Sequence, residues 1–103
     1  MEQLRRPTSP GEIIKAHYLE PLHLSVTSLA ESLGIETVYL TEIIDERQAV
    51  DVDMAMRLSL ALSTSPELWL NLQSKLDLWK ARQEMEKWEA IKPLPNLQEI
   101  LVS

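Results

Sequence analysis

A chain of 103 residues with apolar side chains at 45% of its positions can bury one small core, and so holds one domain. The absence of cysteine excludes a disulfide framework and a thiolate metal site. A net charge of −6, from 16 acidic and 10 basic residues, is the wrong sign for a protein that coats nucleic acid over its whole surface.

No apolar run approaches the ~20 residues needed to span a bilayer. The N-terminal stretch MEQLRRPTSPGE lacks the apolar core of a signal peptide, so a cytoplasmic protein is expected. The basic residues are unevenly spread: none falls between positions 29 and 45, whereas Lys75, Lys80, Arg82, Lys87 and Lys92 lie in the last third.

In chain order, the first element opens at T-S-P-G-E. Ser9 is a good N-cap, Pro10 suits the first helical position, and Glu12 completes a capping box with Ser9. The helix is expected over about Gly11 to Leu19, burying Ile13, Ile14 and Tyr18, and Pro21 stops it. Ser25 caps a second helix that runs through Leu33 with Leu29, Ala30 and Leu33 inward. A third, from about Thr37 to Ile44, buries Leu40, Ile43 and Ile44.

Residues 45–50, DERQAV, form a polar connection to a fourth helix capped by Asp51. There Met54, Met56, Leu58, Leu60 and Leu62 are expected to supply apolar contacts. Ser65 and Pro66 repeat the cap-and-proline device, with Glu67 in the first turn. Nothing breaks the helical pattern before Pro93, so the fifth helix is expected to reach Glu89. The tail KPLPNLQEILVS is expected to be extended, with a short strand over Ile100 to Val102. The fold class is all-α with five helices, the last of them long.

The two helices flanking Gly34 have the outline of a helix-turn-helix. Helices that cross steeply need a small residue where their backbones approach, which Ala30 supplies, and the tight turn favours a residue tolerant of positive φ, which Gly34 supplies. Leu29, Leu33, Ile35, Leu40 and Ile43 then close a small core. The domain division expected is an arm over 1–8, a helix-turn-helix domain over 9–92 and a tail over 93–103.

Three blocks carry a family resemblance. SPELWLNLQSKLDLWKAR, Ser65 to Arg82, is similar to an S-P-x-x-W-L-N-L-Q … D-L-W signature. SPGEII with YLEPLHLSVTSLAESLGI forms a second block, and DMAMRLSLAL a third. Over Pro7 to Arg82 the chain resembles the HigA/VapI antitoxins, within the larger group of phage-repressor-like regulators. The resemblance implies a homodimer that neutralises a toxin encoded beside it, the toxins being ribosome-dependent mRNA endonucleases of the HigB/RelE type. It also implies repression of the protein's own promoter through an inverted repeat in DNA.

By the same resemblance, the early exposed residues of the second motif helix meet base edges. The matching positions are Thr37, Val38 and Glu42, with Thr41 nearby, where related sequences often carry arginine, serine or asparagine. Glu42 can accept from a cytosine amino group and Val38 can pack on a thymine methyl, although a solvated helix face explains Glu36 and Glu42 as simply. Thr27 and Ser28, at the start of the first motif helix, can face a phosphate, and Arg47 matches the place of a family basic residue. Arg5, Arg6 and Lys15 can add charge. Val26 stands where a glutamine is common, and Asp45-Glu46 replaces a family asparagine-glycine, which adds local repulsion. The DNA complex is expected to be weak per monomer and strongly salt-sensitive.

The face formed by Trp69, Leu72, Leu76 and Trp79 is expected to serve both core and dimer interface, Trp69 mainly in the core, Leu76 and Trp79 nearer the seam. Trp88 is expected at the periphery. His17 and His23 have no acidic cluster beside them, so no metal is expected. Glu84, Glu86 and Glu89 with Lys80 and Lys87 read as ion pairing along a helix face. No nucleophile-base pair or phosphate loop is present, so neither an enzyme nor a cofactor is expected. The competing reading is a helix-turn-helix-derived interaction module, or orphan antitoxin, that no longer binds DNA specifically.

Overall fold

The computed structural model describes residues 5–95, so the strand expected over Ile100 to Val102 lies outside the described residues. Helix starts are set by local chemistry. The Ser9 hydroxyl accepts from the Glu12 N–H at 3.1 Å while the Glu12 carboxylate accepts from the Ser9 N–H at 2.9 Å, a complete capping box. Helix α1 (Pro10–Ile13) then continues into a π-helical segment (Ile14–Leu19). The sequence reading expected an α-helix throughout. The wider i→i+5 winding, visible in the Glu20 N–H bond to the Lys15 carbonyl at 3.0 Å, turns Ile14 and Leu19 inward although they are five residues apart.

Helices α2 (Val26–Leu33), α3 (Thr37–Ile44), α4 (Val52–Leu62) and α5 (Pro66–Arg82) follow, with a single 3₁₀ turn at Met85–Trp88. Ser25, Asp51 and Ser65 cap α2, α4 and α5 by accepting from the N–H groups of Ser28, Met54 and Leu68. Helix α5 stops short of the expected Glu89. Its end is tightened by i→i−3 bonds from the Gln83 and Glu84 N–H groups to the Lys80 and Ala81 carbonyls. Every described residue from Arg82 onward is exposed, so the helix has no surface there on which to bury a face. Met56 and Leu60, expected as apolar contacts, face outward. A 3.6-residue period that buries Met54, Ala55 and Leu58 carries positions 56 and 60 to the opposite side.

Trp69 is wholly buried in the core with Ile14, Leu29, Leu40, Met54 and Leu58. Its ring lies 6.4 Å from that of Tyr18, and its indole N–H donates to the Thr64 hydroxyl at 2.7 Å. The turn between α2 and α3 is a Schellman closure. Gly34 sits at φ 71°, its N–H bonds the Glu31 carbonyl at 3.1 Å, and the Ile35 N–H bonds the Ala30 carbonyl at 3.0 Å. Gly11 has a different purpose: a Cβ there would stand 2.6 Å from the Ile44 carbonyl oxygen and 2.7 Å from that of Ile43. Helix α1 therefore lies directly on the C-terminal end of α3.

Two outcomes follow from these contacts. Gly11→Ala should lower stability by about 1–3 kcal/mol in urea denaturation, because the contacted atoms are backbone and must shift; a loss within experimental error would mean that α1 and α3 separate freely. The Glu12 carboxyl is held below its ordinary value, first by the Ser9 backbone N–H and also by the Ser9 hydroxyl and Arg6, against an opposing effect of burial. A lowered folded-state pKa gives stability that is present above the unfolded value and lost as pH falls through the folded one. Unfolding free energy should thus decline on acidification through the carboxylate range, and Glu12→Gln should remove part of that decline, read by denaturation at a series of pH values.

Candidate nucleic-acid interface

The eight residues of α3 split cleanly by helical period. Leu40 and Ile43 are buried against the core, while Thr37 and Val38 are exposed and Thr41 and Glu42 half-buried beside them. Thr37 and Thr41, and Val38 and Glu42, are each one helical turn apart, so the four share an outward strip. The Thr41 hydroxyl donates to the Thr37 carbonyl at 3.0 Å, leaving its oxygen as an acceptor. Val38 is 63% exposed, an apolar tip left open among the described residues.

Thr27 and Ser28 stand exposed in the first turn of α2, as the sequence suggested, with the Ser25 hydroxyl 3.0 Å from that of Ser28. Arg47 lies at the other end of α3, where its N–H and that of Gln48 bond the Glu42 carbonyl at 2.8 and 3.2 Å. Its guanidinium meets the Asp45 carboxylate at 2.9 Å. The structure thus brings Thr37, Val38, Thr41, Glu42 and Arg47 onto one helix and the turn that leaves it. Lys15 is exposed on the π-helical segment.

Of the α5 residues, Trp69 and Leu76 are enclosed within the subunit. Leu76 lies next to Pro10 and Ile43, where α1, α3 and α5 meet, rather than on an open seam. Leu72 and Trp79 are half-buried, and Leu68, one turn before Leu72, is exposed. Leu68, Leu72 and Trp79 therefore lie on one flank of α5, with exposed Lys75 between the last two.

Contacts of three residues that hold the motif were missed in the sequence. The Arg57 guanidinium donates to the Leu33 carbonyl at 2.9 Å and the Gly34 carbonyl at 3.3 Å, and it meets Asp53 at 2.8 Å. It closes the C-terminal end of α2 from α4, and the only signal for it is a basic residue one turn after an acidic one. Buried Gln73 accepts from the Val50 N–H at 2.9 Å and donates to Asp77 at 2.9 Å, pinning the entry to α4 onto α5. Glu46, at φ 64°, pairs with Arg6 and lies 4.0 Å from the Lys80 amine. Such a backbone costs a non-glycine residue about 1–2 kcal/mol. Burial, with Asp51 and Asp53 close by, pushes the Tyr39 hydroxyl above its ordinary pKa, so it remains a neutral donor on α3.

No family model matches the chain. Among individual proteins it is 36% identical over 91 residues to "Antitoxin HigA-1" of Vibrio cholerae, covering 87% of this chain and 86% of that one. The solved "antitoxin GraA" superposes with a TM-score of 0.82 at 40% identity, across 87% of this chain and 99% of the other. A Pseudomonas aeruginosa antitoxin HigA, solved with the higBA promoter, gives a TM-score of 0.78 at 34% identity, across 86% and 99%.

Proposed function

Because the chain belongs to the HigA family of helix-turn-helix antitoxins, we propose that it is the antitoxin of a toxin-antitoxin pair. On this reading it is a cytoplasmic homodimer that binds an inverted repeat in its own operator and neutralises a toxin of the HigB/RelE type. The observation that carries the DNA-binding part is the likeness to a relative solved with promoter DNA, over nearly the whole of that relative, together with an outward strip on α3 whose Thr37 and Val38 are exposed among the described residues.

In this reading Val38 packs on a thymine methyl and Glu42 accepts from a cytosine amino group, while Thr37 and Thr41 bond base edges or phosphate. Thr27 and Ser28 offer hydroxyls and backbone N–H groups to a phosphate at the start of α2, and Arg47 supplies charge at the far end of α3. Two subunits place two such helices on the two half-sites of a repeat. The dimer forms along the α5 flank of Leu72 and Trp79, extended by Leu68, since Trp69 and Leu76 have no surface left to share.

A second reading has one specific observation in its favour. The segment from 29 to 45 holds no basic residue, Glu42 lies in the reading strip, and Glu36 and Asp45 flank α3 at its two ends. A helix-turn-helix protein that dimerises and binds a toxin without reading DNA would carry such a face at no cost.

Titration of the protein with DNA from upstream of its own gene, at low and moderate salt, separates the two. A specific complex at low salt supports the repressor, and its absence supports the interaction module. Arg47→Ala should weaken operator binding about three- to tenfold and flatten the salt dependence by about one unit of slope, with the dimer intact. Trp79→Glu should turn the dimer into a monomer in sedimentation while helix content by circular dichroism is kept; a persisting dimer moves the seam off this flank. Growth arrest by a neighbouring toxin-like reading frame, relieved by co-expression of this chain, tests the antitoxin role.

A further inference from the structure

The turn leaving α3 carries two carboxylates, and each is committed to a cation. Asp45 holds Arg47 at 2.9 Å. Glu46 holds Arg6 from the N-terminal arm, and Lys80 of α5 stands 4.0 Å away. Arg6 has a second carboxylate, Glu12, at 3.3 Å. Glu46 adopts the left-handed conformation at φ 64°, where glycine is the residue of least strain. Glu46 directly precedes Arg47, to which the operator reading assigns a phosphate contact, and both line the hollow that Lys80 also borders, so a strained backbone kept there is a candidate for use. Its side chain is only 25% exposed, so its pairing with Arg6 is less screened than an open surface pair.

We propose that Glu46 is an affinity-setting residue of the DNA face: its carboxylate withholds Arg6, and with it Lys80, from the phosphate backbone. This rests on the operator-binding reading given above. A cation engaged with a carboxylate contributes no counterion release when DNA docks, and the carboxylate itself repels the nearest phosphate. The two effects have the same sign. The protein therefore grips DNA below the capacity of its own basic residues, and the base-contacting strip of α3 carries a larger share of the binding.

The test uses the full chain and a duplex from upstream of its gene, with binding measured between about 50 and 200 mM salt. Glu46→Gln removes the charge and keeps the side chain, and Glu46→Gly also relieves the backbone. Glu12 still holds Arg6 on one side, at 3.3 Å, so both variants should bind about three- to tenfold more tightly at the low-salt end, with the slope of log K against log salt steeper by up to about one. Arg6→Ala in the Glu46→Gln background should abolish most of that gain, whereas Arg6→Ala alone should change binding little, because Arg6 is already engaged. Unchanged or weaker binding by both variants, a gain confined to Glu46→Gly, or an unaltered salt slope would each overturn the assignment. If the parent forms a specific complex and the variants do not differ from it, the inference fails while the operator reading stands. If the parent and both variants form none, both fail together.

Discussion

The burial of Trp69 is the contact on which the arrangement of the whole domain depends. Its indole is large enough to touch the π-helical segment at Tyr18 and the cap region of its own helix at Thr64 in one placement. A buried indole N–H without a partner would cost on the order of 1–3 kcal/mol, so the Thr64 hydroxyl fixes the ring's orientation as well as its depth. With the ring so placed, α5 becomes the platform of the domain. Gln73, one turn further along, can then reach the Val50 N–H, and Leu76, buried, borders the same hollow as Pro10 and Ile43. The start of α4, the end of α3 and the start of α1 are all positioned from this single helix.

What the sequence disclosed and what it concealed divide by range. Ser9, Ser25, Asp51 and Ser65 were legible as caps because a cap is settled within three residues of itself. Gly34 was legible because a helix that ends in a left-handed residue needs one tolerant of it. Gly11 was not, since its requirement comes from the carbonyls of Ile43 and Ile44, more than thirty positions away. The π winding was hidden for a related reason: Ile14 and Leu19 suit an α-helix locally, and only the core decides that both must face it. The early end of α5 reflects an absence of neighbours, which no local pattern announces. Met56 and Leu60 misled because apolar residues at alternate positions cannot all face one side of a helix.

The candidate site shows the same division. The strip of Thr37, Val38, Thr41 and Glu42 follows from the period of α3 and was readable beforehand. The pairing of its neighbouring charges was not. Counting basic residues near the motif suggested Arg6 and Arg47 as available, whereas Arg6 is paired with Glu46 and Arg47 with Asp45. Formal charge in a sequence is thus a poor measure of charge available to a partner. What matters is whether the cation must leave another carboxylate first.

That distinction bears on why an acidic protein can serve as a selective DNA reader. Non-specific binding is supplied almost entirely by phosphate contacts, while specific binding adds base contacts to the same phosphate contacts. Lowering the phosphate contribution weakens both complexes by a similar factor, so affinity falls while the ratio between them is kept. On a genome, where competing sites outnumber the operator by many orders of magnitude, the free protein lost to those sites falls with non-specific affinity. A small protein that reads an operator in the way proposed above then gains from cations held in reserve. On the operator-binding reading proposed above, the protein spends less time on irrelevant DNA, and the contacts assigned there to Val38 and Glu42 decide where it stays.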